Sequence, residues 1–417
     1  MKQTPLSLRV PEPLTRPGDT PDFSYLQIPS AGNDKKPLHN APISEFNDLS
    51  KGIIRVLDDI GQAQGEWQPT VNTDILITGL KAMVKTRAYD DRMMLVQRQG
   101  KTSFFMKSTG EEAISVAQAM VLKQGDMFFP TYRQAGLLIT NEMIRGTGWS
   151  TFDMMCQVLS NSGDKLKGRQ LPIMYSSKDA GFFSISGNLG TQYTQAVGWA
   201  MASAIKKDSK IASTFIGDGS TAESDFHAAL TFASVYKPPV ILNVTNNQWA
   251  ISSFQGIANS PETTFASRGV GYGIPSLRVD GNDFLAVYAV SEWAADRARN
   301  NLGPTIIEWV TYRSSGHSSS DDPSKYRPKD EEKAWPLGDP IDRLKQHLIH
   351  LGKWSQEQHS ALEKEMKEEI LALSKEAQKL GSLTDLPDLP MKCMFDDVYK
   401  DIPPHLQKQI ERIERGE

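Results

Sequence analysis

Ile211-Ala-Ser-Thr-Phe-Ile-Gly-Asp-Gly219 and Val240-Ile-Leu-Asn-Val-Thr-Asn-Asn247 bracket a segment of 37 residues whose pattern is that of an α/β protein. Ile211 to Ile216 is a short apolar run and predicts a buried strand. Ser220 to Lys237 follows with Phe226, Leu230 and Ala233 at helical spacing, and Pro238-Pro239 predicts where that helix stops. Val240 to Val244 predicts a second strand. Strand, helix and strand in this order form one crossover unit joining two parallel strands. Parallel strands point the same way, so Asp218 and Asn247, twenty-nine positions apart, emerge together at the carboxyl edge of the sheet. Open α/β sheets bind their ligands at that edge.

The residue types narrow the ligand. Asp218 offers a carboxylate and Asn247 an amide oxygen, both hard donors of the kind Mg²⁺ and Ca²⁺ prefer. Two protein oxygens do not complete an octahedron, so phosphate oxygens, a backbone carbonyl and water must supply the rest. Gly217 and Gly219 allow close backbone approach, and the helix opened by Ser220 directs its first amides toward an anion. A Gly-Asp-Gly after a strand is, alone, an ordinary tight turn. The second strand, ending in Asn246-Asn247 at crossover spacing, is what converts the turn into a site for a Mg²⁺-bridged diphosphate.

The whole chain agrees with an α/β fold: a mainly parallel sheet flanked by helices, preceded by an extended arm (1–68) and followed by a helical C-terminal section (336–417), with the ligand-binding domain over 69–335. Its 417 residues suffice to bury a large core. With 39% apolar and 23% charged residues the composition is that of a soluble globular protein, and a net charge of −4 argues against a nucleic-acid or polybasic membrane partner. Cys156 and Cys393 lie far apart without metal-ligand spacing, which predicts free thiols in a reducing compartment. The start, Met1-Lys-Gln-Thr-Pro-Leu6, has neither the apolar core of a signal peptide nor the composition of a transit sequence. A cytoplasmic location is expected.

Several elements follow from pattern. Within the arm, Ile53 to Leu57 predicts a strand, and Phe23, Tyr25, Leu26 and Trp67 predict anchors. Helices are expected from Thr73 through Gln97, from Gly110 to Val121, over 142–160, from Ala196 to Ile205, from Phe284 to Ala298, and from Pro340 onward. Pro304 to Val310 is a further strand, and it feeds the loop from Arg313 to Asp322. In that loop His317 sits among small polar residues just beyond a strand end, placed to donate to a phosphate and to move a proton near neutral pH.

The spacing from Gly217-Asp-Gly219 to Asn246-Asn247 resembles the thiamine diphosphate signature of 2-oxo acid dehydrogenases. Arg98-Gln-Gly-Lys-Thr-Ser-Phe-Phe-Met106, Gly110-Glu-Glu112, Lys167-Gly-Arg-Gln-Leu-Pro172, Asp280-Gly-Asn-Asp-Phe284 and Thr311-Tyr-Arg through Gly316-His-Ser318 to Asp322 are similar to the alpha subunits of branched-chain 2-oxo acid dehydrogenases. The likeness runs from about residue 20 to 405.

The resemblance implies thiamine diphosphate and Mg²⁺ as cofactors. Asp218, Asn247 and the Trp249 carbonyl then hold the metal, Tyr132 and Arg133 hold the phosphates, and His317 acts in acyl transfer. A guanidinium suits that task, because its fork of donors matches phosphate oxygens. Gly187 and Leu189 fall in the loop that cradles the aminopyrimidine. Ser186, Asn188, Thr191 and Gln192 match a monovalent-cation (K⁺) site, with Asn188 standing where relatives carry Pro. Thr245 replaces a basic residue common before the Asn pair, which shifts phosphate binding onto Arg133 and His317. Ser318 matches a position phosphorylated in animal relatives.

The implied partners are a beta subunit in an α2β2 assembly, carrying the glutamate that activates the cofactor, and a lipoyl-bearing acyltransferase core. The implied substrate is a branched-chain 2-oxo acid. Pyruvate or acetoin dehydrogenase is the alternative within the class, and a non-catalytic binding subunit the alternative outside it.

Overall fold

The computed structural model describes residues 7–146, 149–385 and 390–417; the first six residues, read above for targeting, lie outside them. Five strands form the central sheet: β1 (Met127–Phe129), β2 (Ala212–Gly217), β3 (Val240–Asn246), β6 (Ser276–Asp280) and β7 (Thr305–Val310). Between β3 and β6 lies a small hairpin of β4 (Trp249–Ala250) and β5 (Ser253–Phe254). The sheet order is β1-β2-β3-β7-β6 and every pairing is parallel. β3 and β7 are buried along their whole length, and their buried polar residues, Asn243 and Glu308 among them, are hydrogen-bonded.

Alternation along the strands divides the core into two layers. Ile216, Leu242, Val244 and Ile306 pack with α6 (Thr191–Lys206) and α7 (Ser224–Tyr236) on one face. Phe215, Ile241, Ile307 and Trp309 face the other side. There the core continues into α2 (Thr73–Arg98), α3 (Glu112–Val121), α4 (Ala135–Arg145), α5 (Thr151–Leu159), α9 (Phe284–Arg299), α10 (Pro340–His350) and α11 (Gln356–Gln378). Three short or peripheral helices complete the set: α1 (Phe46–Leu49), α8 (Ser267–Gly271) and α12 (Pro404–Arg415). Among the described residues no helix is long and apolar enough to cross a membrane.

Two expected elements differ. Ile53–Leu57 is not a strand. Ile54 makes one parallel bridge, its N–H to Arg278 O (2.9 Å) and its carbonyl to Asp280 N (3.0 Å). The Asp283 carboxylate then captures the Val56 and Leu57 amides (2.8 and 2.6 Å), which ends the pairing. The helix expected over 142–160 is two helices. α4 stops at Gly146 in the left-handed region, and α5 starts from a capping box between Ser150 and Asp153; residues 147 and 148 lie outside the described residues.

The arm is held by aromatic contacts. Phe23 meets Trp335 edge-on (centroids 5.2 Å apart) and Tyr312 (5.9 Å), while Tyr25 Oη donates to Gln248 Oε1 (3.0 Å). Trp293 Nε1 donates to the Pro37 carbonyl (3.0 Å). These contacts place the arm beside the turn that follows Asn247.

The turn before α3 is the tightest joint between the sheet edge and the helical layer. Gly110 has φ +101°, and a Cβ there would lie 2.1 Å from the Tyr312 carbonyl oxygen. Its own carbonyl accepts from Thr311 Oγ1 (2.7 Å) and Asn282 Nδ2 (3.0 Å). Gly110→Ala is expected to lower unfolding stability by more than about 2 kcal/mol in urea titration, through disallowed backbone and overlap together. A loss under 0.5 kcal/mol, roughly the ordinary scatter for surface changes, would contradict this packing.

Candidate active site

Asp218 is the first residue past β2, and its N–H extends the ladder to the Thr245 carbonyl (3.1 Å). Its side chain is buried. Oδ1 accepts the Gly219 N–H (2.7 Å), while Oδ2 is a buried oxygen with no partner among the described residues. Burial pushes this carboxyl up to about 7, against the Gly219 N–H and Arg313, with Glu111 and Glu308 adding to the rise. A desolvated oxygen of this kind fits a divalent cation, which restores the lost solvation. Thr245 Oγ1, on the neighbouring strand, is likewise buried without a partner.

Asn247 lies just beyond β3 and is buried. Its Nδ2 donates to Glu111 Oε1 (2.6 Å), and its Oδ1 accepts from Trp249 N (3.3 Å). The chain then reverses sharply at Gln248, whose φ of +75° is unusual for a residue with a side chain. Gln248 is held there by bonds from Nε2 to the Asn246 and Thr311 carbonyls (both 3.1 Å). The reversal presents the Trp249 carbonyl, which accepts from Arg313 Nη1 (3.0 Å) and keeps a second lone pair. Asp218, Asn247 and Trp249 are therefore on one edge. Among the described residues no three His, Cys, Asp or Glu side chains gather around a metal position, so oxygens from outside this set are needed to complete a sphere.

His317 comes to Arg133. Arg133 Nη2 donates to the His317 carbonyl (2.7 Å) and lies 3.2 Å from Nδ1, while Arg313 Nη1 lies 3.5 Å from the same nitrogen. Both neighbours are donors, so Nδ1 must accept and the ring proton belongs on Nε2. Burial and the two guanidinium charges push the imidazole down to about 3, with Asp321 opposing. The loop is pinned by Asp321, whose Oδ2 accepts from His317 N and Tyr326 Oη (both 2.6 Å). Ser319 N donates to the Phe105 carbonyl (2.8 Å), which ties the loop to the Phe104-Phe105-Met106 segment. Tyr132 packs edge-on to the imidazole, ring centroids 5.9 Å apart, and under the Arg133 guanidinium. Ser318 is adjacent, on the half-buried part of the loop.

The turn ahead of α6 brings the remaining expected residues together. Ser186 Oγ accepts from Asn188 N (3.1 Å), Thr191 Oγ1 donates to Asn188 O (2.9 Å), and Gln192 Oε1 accepts from Gly190 N (3.1 Å). Gly187 and Leu189 are exposed on its outer side. One local expectation changes: the helix after Gly219 does not begin there. A single 3-10 turn (Gly219–Ala222), closed by Thr221 Oγ1 on the Asp218 carbonyl (2.7 Å), precedes α7. The Gly219 amide is engaged by Asp218 itself, and Ser220 is half-buried. A Cβ on Gly219 would come within 2.3 Å of Ala250, so this glycine is needed for the hairpin to close over the turn.

Sequence reasoning missed Glu111, Arg313, Asp321 and Glu308. Glu308 accepts from Asn246 Nδ2 (2.9 Å), so each asparagine of the pair is held by its own buried carboxylate. The available signal was Gly110-Glu111-Glu112, two acids at the head of an otherwise small and apolar helix.

A parallel sheet whose carboxyl edge gathers an unpartnered carboxylate, an oriented amide and a neutral imidazole defines a cofactor-dependent α/β enzyme site. A family profile described as "Dehydrogenase E1 component" matches residues 80–384, and one described as "2-oxoisovalerate dehydrogenase E1 alpha subunit N terminal" matches residues 4–42. The chain is 60% identical over 409 residues to the 2-oxoisovalerate dehydrogenase subunit alpha of Pseudomonas aeruginosa, covering 98% of each. It is 36% identical over 401 residues to the mitochondrial protein of that name from Mus musculus (93% of this chain, 87% of the relative). The same identity holds over 380 residues for the mitochondrial subunit alpha 2 of Arabidopsis thaliana (89% and 76%). The chain belongs to the dehydrogenase E1 component family, which is thiamine diphosphate-dependent.

In the cofactor-free protein, nitrogen-15 NMR of His317 is expected to show the neutral Nε2–H form down to about pH 4, and Arg133→Met to raise its pKa by removing one of the two nearby cations. Because the folded pKa lies below the unfolded 6.5, the folded state binds fewer protons between about 3 and 6.5. His317 therefore contributes a loss of stability as pH falls through that window, and His317→Asn flattens it. An imidazolium at pH 6 would contradict the geometry.

Proposed function

We propose that this chain is the alpha subunit of a 2-oxoisovalerate dehydrogenase, catalysing oxidative decarboxylation of branched-chain 2-oxo acids with acyl transfer to a lipoyl group. The observation that carries the reading is the buried, unpartnered Asp218 Oδ2 beside Asn247 in a chain 60% identical to a protein of that name. Asp218 Oδ2, Asn247 Oδ1 and the Trp249 carbonyl would hold Mg²⁺. Arg133 and Tyr132 would hold the diphosphate, with Gly217, Gly219 and Ser220 lining its approach and Gly187 and Leu189 supporting the aminopyrimidine. When bound, thiamine diphosphate supplies the electron sink that lets the carboxylate leave as CO₂.

His317 does what an imidazole with Nδ1 fixed as an acceptor can do. It would donate its Nε2–H in a hydrogen bond to an oxygen of the substrate, and during acyl transfer it would pass a proton on only as another is taken up, so that the ring stays neutral. Arg133 also bonds the His317 carbonyl, so the residue proposed to hold the diphosphate is the one that ties down the His317 loop. Ser186, Asn188, Thr191 and Gln192 form the candidate K⁺ turn, and Ser318 a candidate phosphorylation position whose added charge would repel the diphosphate.

The same proposal includes a beta subunit in an α2β2 assembly, an acyltransferase core and a cytoplasmic location. Support for a partner comes from α6 and α7, where Ile205, Phe232, Val235 and Tyr236 are exposed. Support for a reducing compartment comes from the free Cys156 and Cys393. The division into arm (1–68), cofactor domain (69–335) and C-terminal section (336–417) is proposed as functional, since one hydrophobic cluster runs from Phe46 to Ala377.

The test is decarboxylation assayed with an artificial electron acceptor, on the chain purified with its beta subunit. Turnover of 2-oxoisovalerate in preference to pyruvate is expected, with Asp218→Ala lowering it by on the order of 100-fold or more. Preference for pyruvate would change the substrate assigned. Absence of turnover with an authentic partner would overturn the catalytic reading in favour of a binding subunit.

A further inference from the structure

The geometry points to Glu111 as the positioning residue that sets which end of the Asn247 amide faces the metal. This inference rests on the Mg²⁺ and thiamine diphosphate reading above. An asparagine side chain presents an oxygen at one end and an NH₂ at the other, and only the oxygen ligates a cation. Nothing in the amide itself selects the orientation, so a neighbour must. Glu111 is 2% exposed, and its Oε1 lies 2.6 Å from Asn247 Nδ2 and 3.8 Å from Arg133 Nε. Both groups facing Oε1 are donors, so that oxygen is an acceptor, and the end of Asn247 that meets it must be the NH₂. Oδ1 is left turned away from Glu111 and, among the described residues, meets just the long bond from Trp249 N (3.3 Å). Without an acceptor at position 111 the amide is free to rotate and present NH₂ to the cation.

Glu111 is itself held from two sides. The preceding turn is clamped by Asp90, whose Oδ2 accepts from Ser108 N and Ser108 Oγ (both 2.6 Å). The following residue, Glu112, is buried and bonded to Gly110 N (2.8 Å) and Arg87 Nε (2.7 Å). Both clamps start on α2, so the helical layer behind the sheet reaches the candidate metal ligand through a single side chain. Such outer partners of metal ligands change metal affinity by about 10- to 100-fold when removed.

Two variants of equal length separate orientation from packing. Glu111→Gln keeps an acceptor oxygen, and Glu111→Met fills the same space without one. Binding of Mn²⁺ with thiamine diphosphate is measured by electron paramagnetic resonance and by calorimetry on the complex with the beta subunit, alongside the melting temperature of the cofactor-free form. The expected result is Mn²⁺ affinity within about threefold of wild type for Glu111→Gln and weakened about tenfold or more for Glu111→Met. The KM for the 2-oxo acid is expected to stay within about twofold at saturating metal, since the residue acts on metal rather than substrate. Equal affinity for wild type and Glu111→Met overturns the inference while leaving the cofactor reading intact. Equal weakening in both variants also overturns it, assigning the effect to charge. Failure of wild type to bind Mn²⁺ with the cofactor overturns the cofactor reading and this inference together.

Discussion

The arrangement depends on one buried carboxylate that folding leaves half-satisfied. Asp218 is placed by the last rung of β2 against β3, where water is excluded, and only one of its two oxygens finds a protein donor. Burying an anion in that state opposes folding, and the same burial raises its pKa. A bound divalent cation reverses the sign of the local electrostatics.

Around that point the protein pairs acceptors with donors so that each functional group has one orientation. Glu111 and Glu308 hold the two asparagines, Arg133 and Arg313 converge on one nitrogen of His317, and Asp321 fixes the loop that carries it. The two asparagine pairs are buried and the His317 contacts half-buried, where leaving one partner alone costs more than at the surface. The arm and the helical layer enter the same system, through Tyr25 on Gln248 and through Arg87 and Asp90 on the turn that carries Glu111.

Much of the fold was legible because the central parallel strands are built around apolar runs and the crossover spacing is fixed by geometry. β2, β3, β7, α2 and α9 fall within a residue or two of where periodicity puts them. The short β1 was invisible, since three residues carry no period. Ile53–Leu57 looked like a strand from its composition, but Asp283, more than two hundred positions away, takes its amides. The break at Gly146 was hidden because methionines and leucines continue the helical pattern across it. For the site, residues emerging from strand ends were readable from spacing. Arg313 and Asp321 were not, because a residue that orients another has no signature in its own neighbourhood, and Glu111 left only the faint one of two acids at the head of a small, apolar helix.

The most direct test of the central claim is a crystal structure of the assembly with thiamine diphosphate and Mn²⁺, in which the anomalous signal locates the metal. Metal within about 2.1 Å of both Asp218 Oδ2 and Asn247 Oδ1, with Asn247 Nδ2 still on Glu111, is the predicted result. A metal peak away from Asp218, or an Asn247 amide that ligates nothing, would contradict the account.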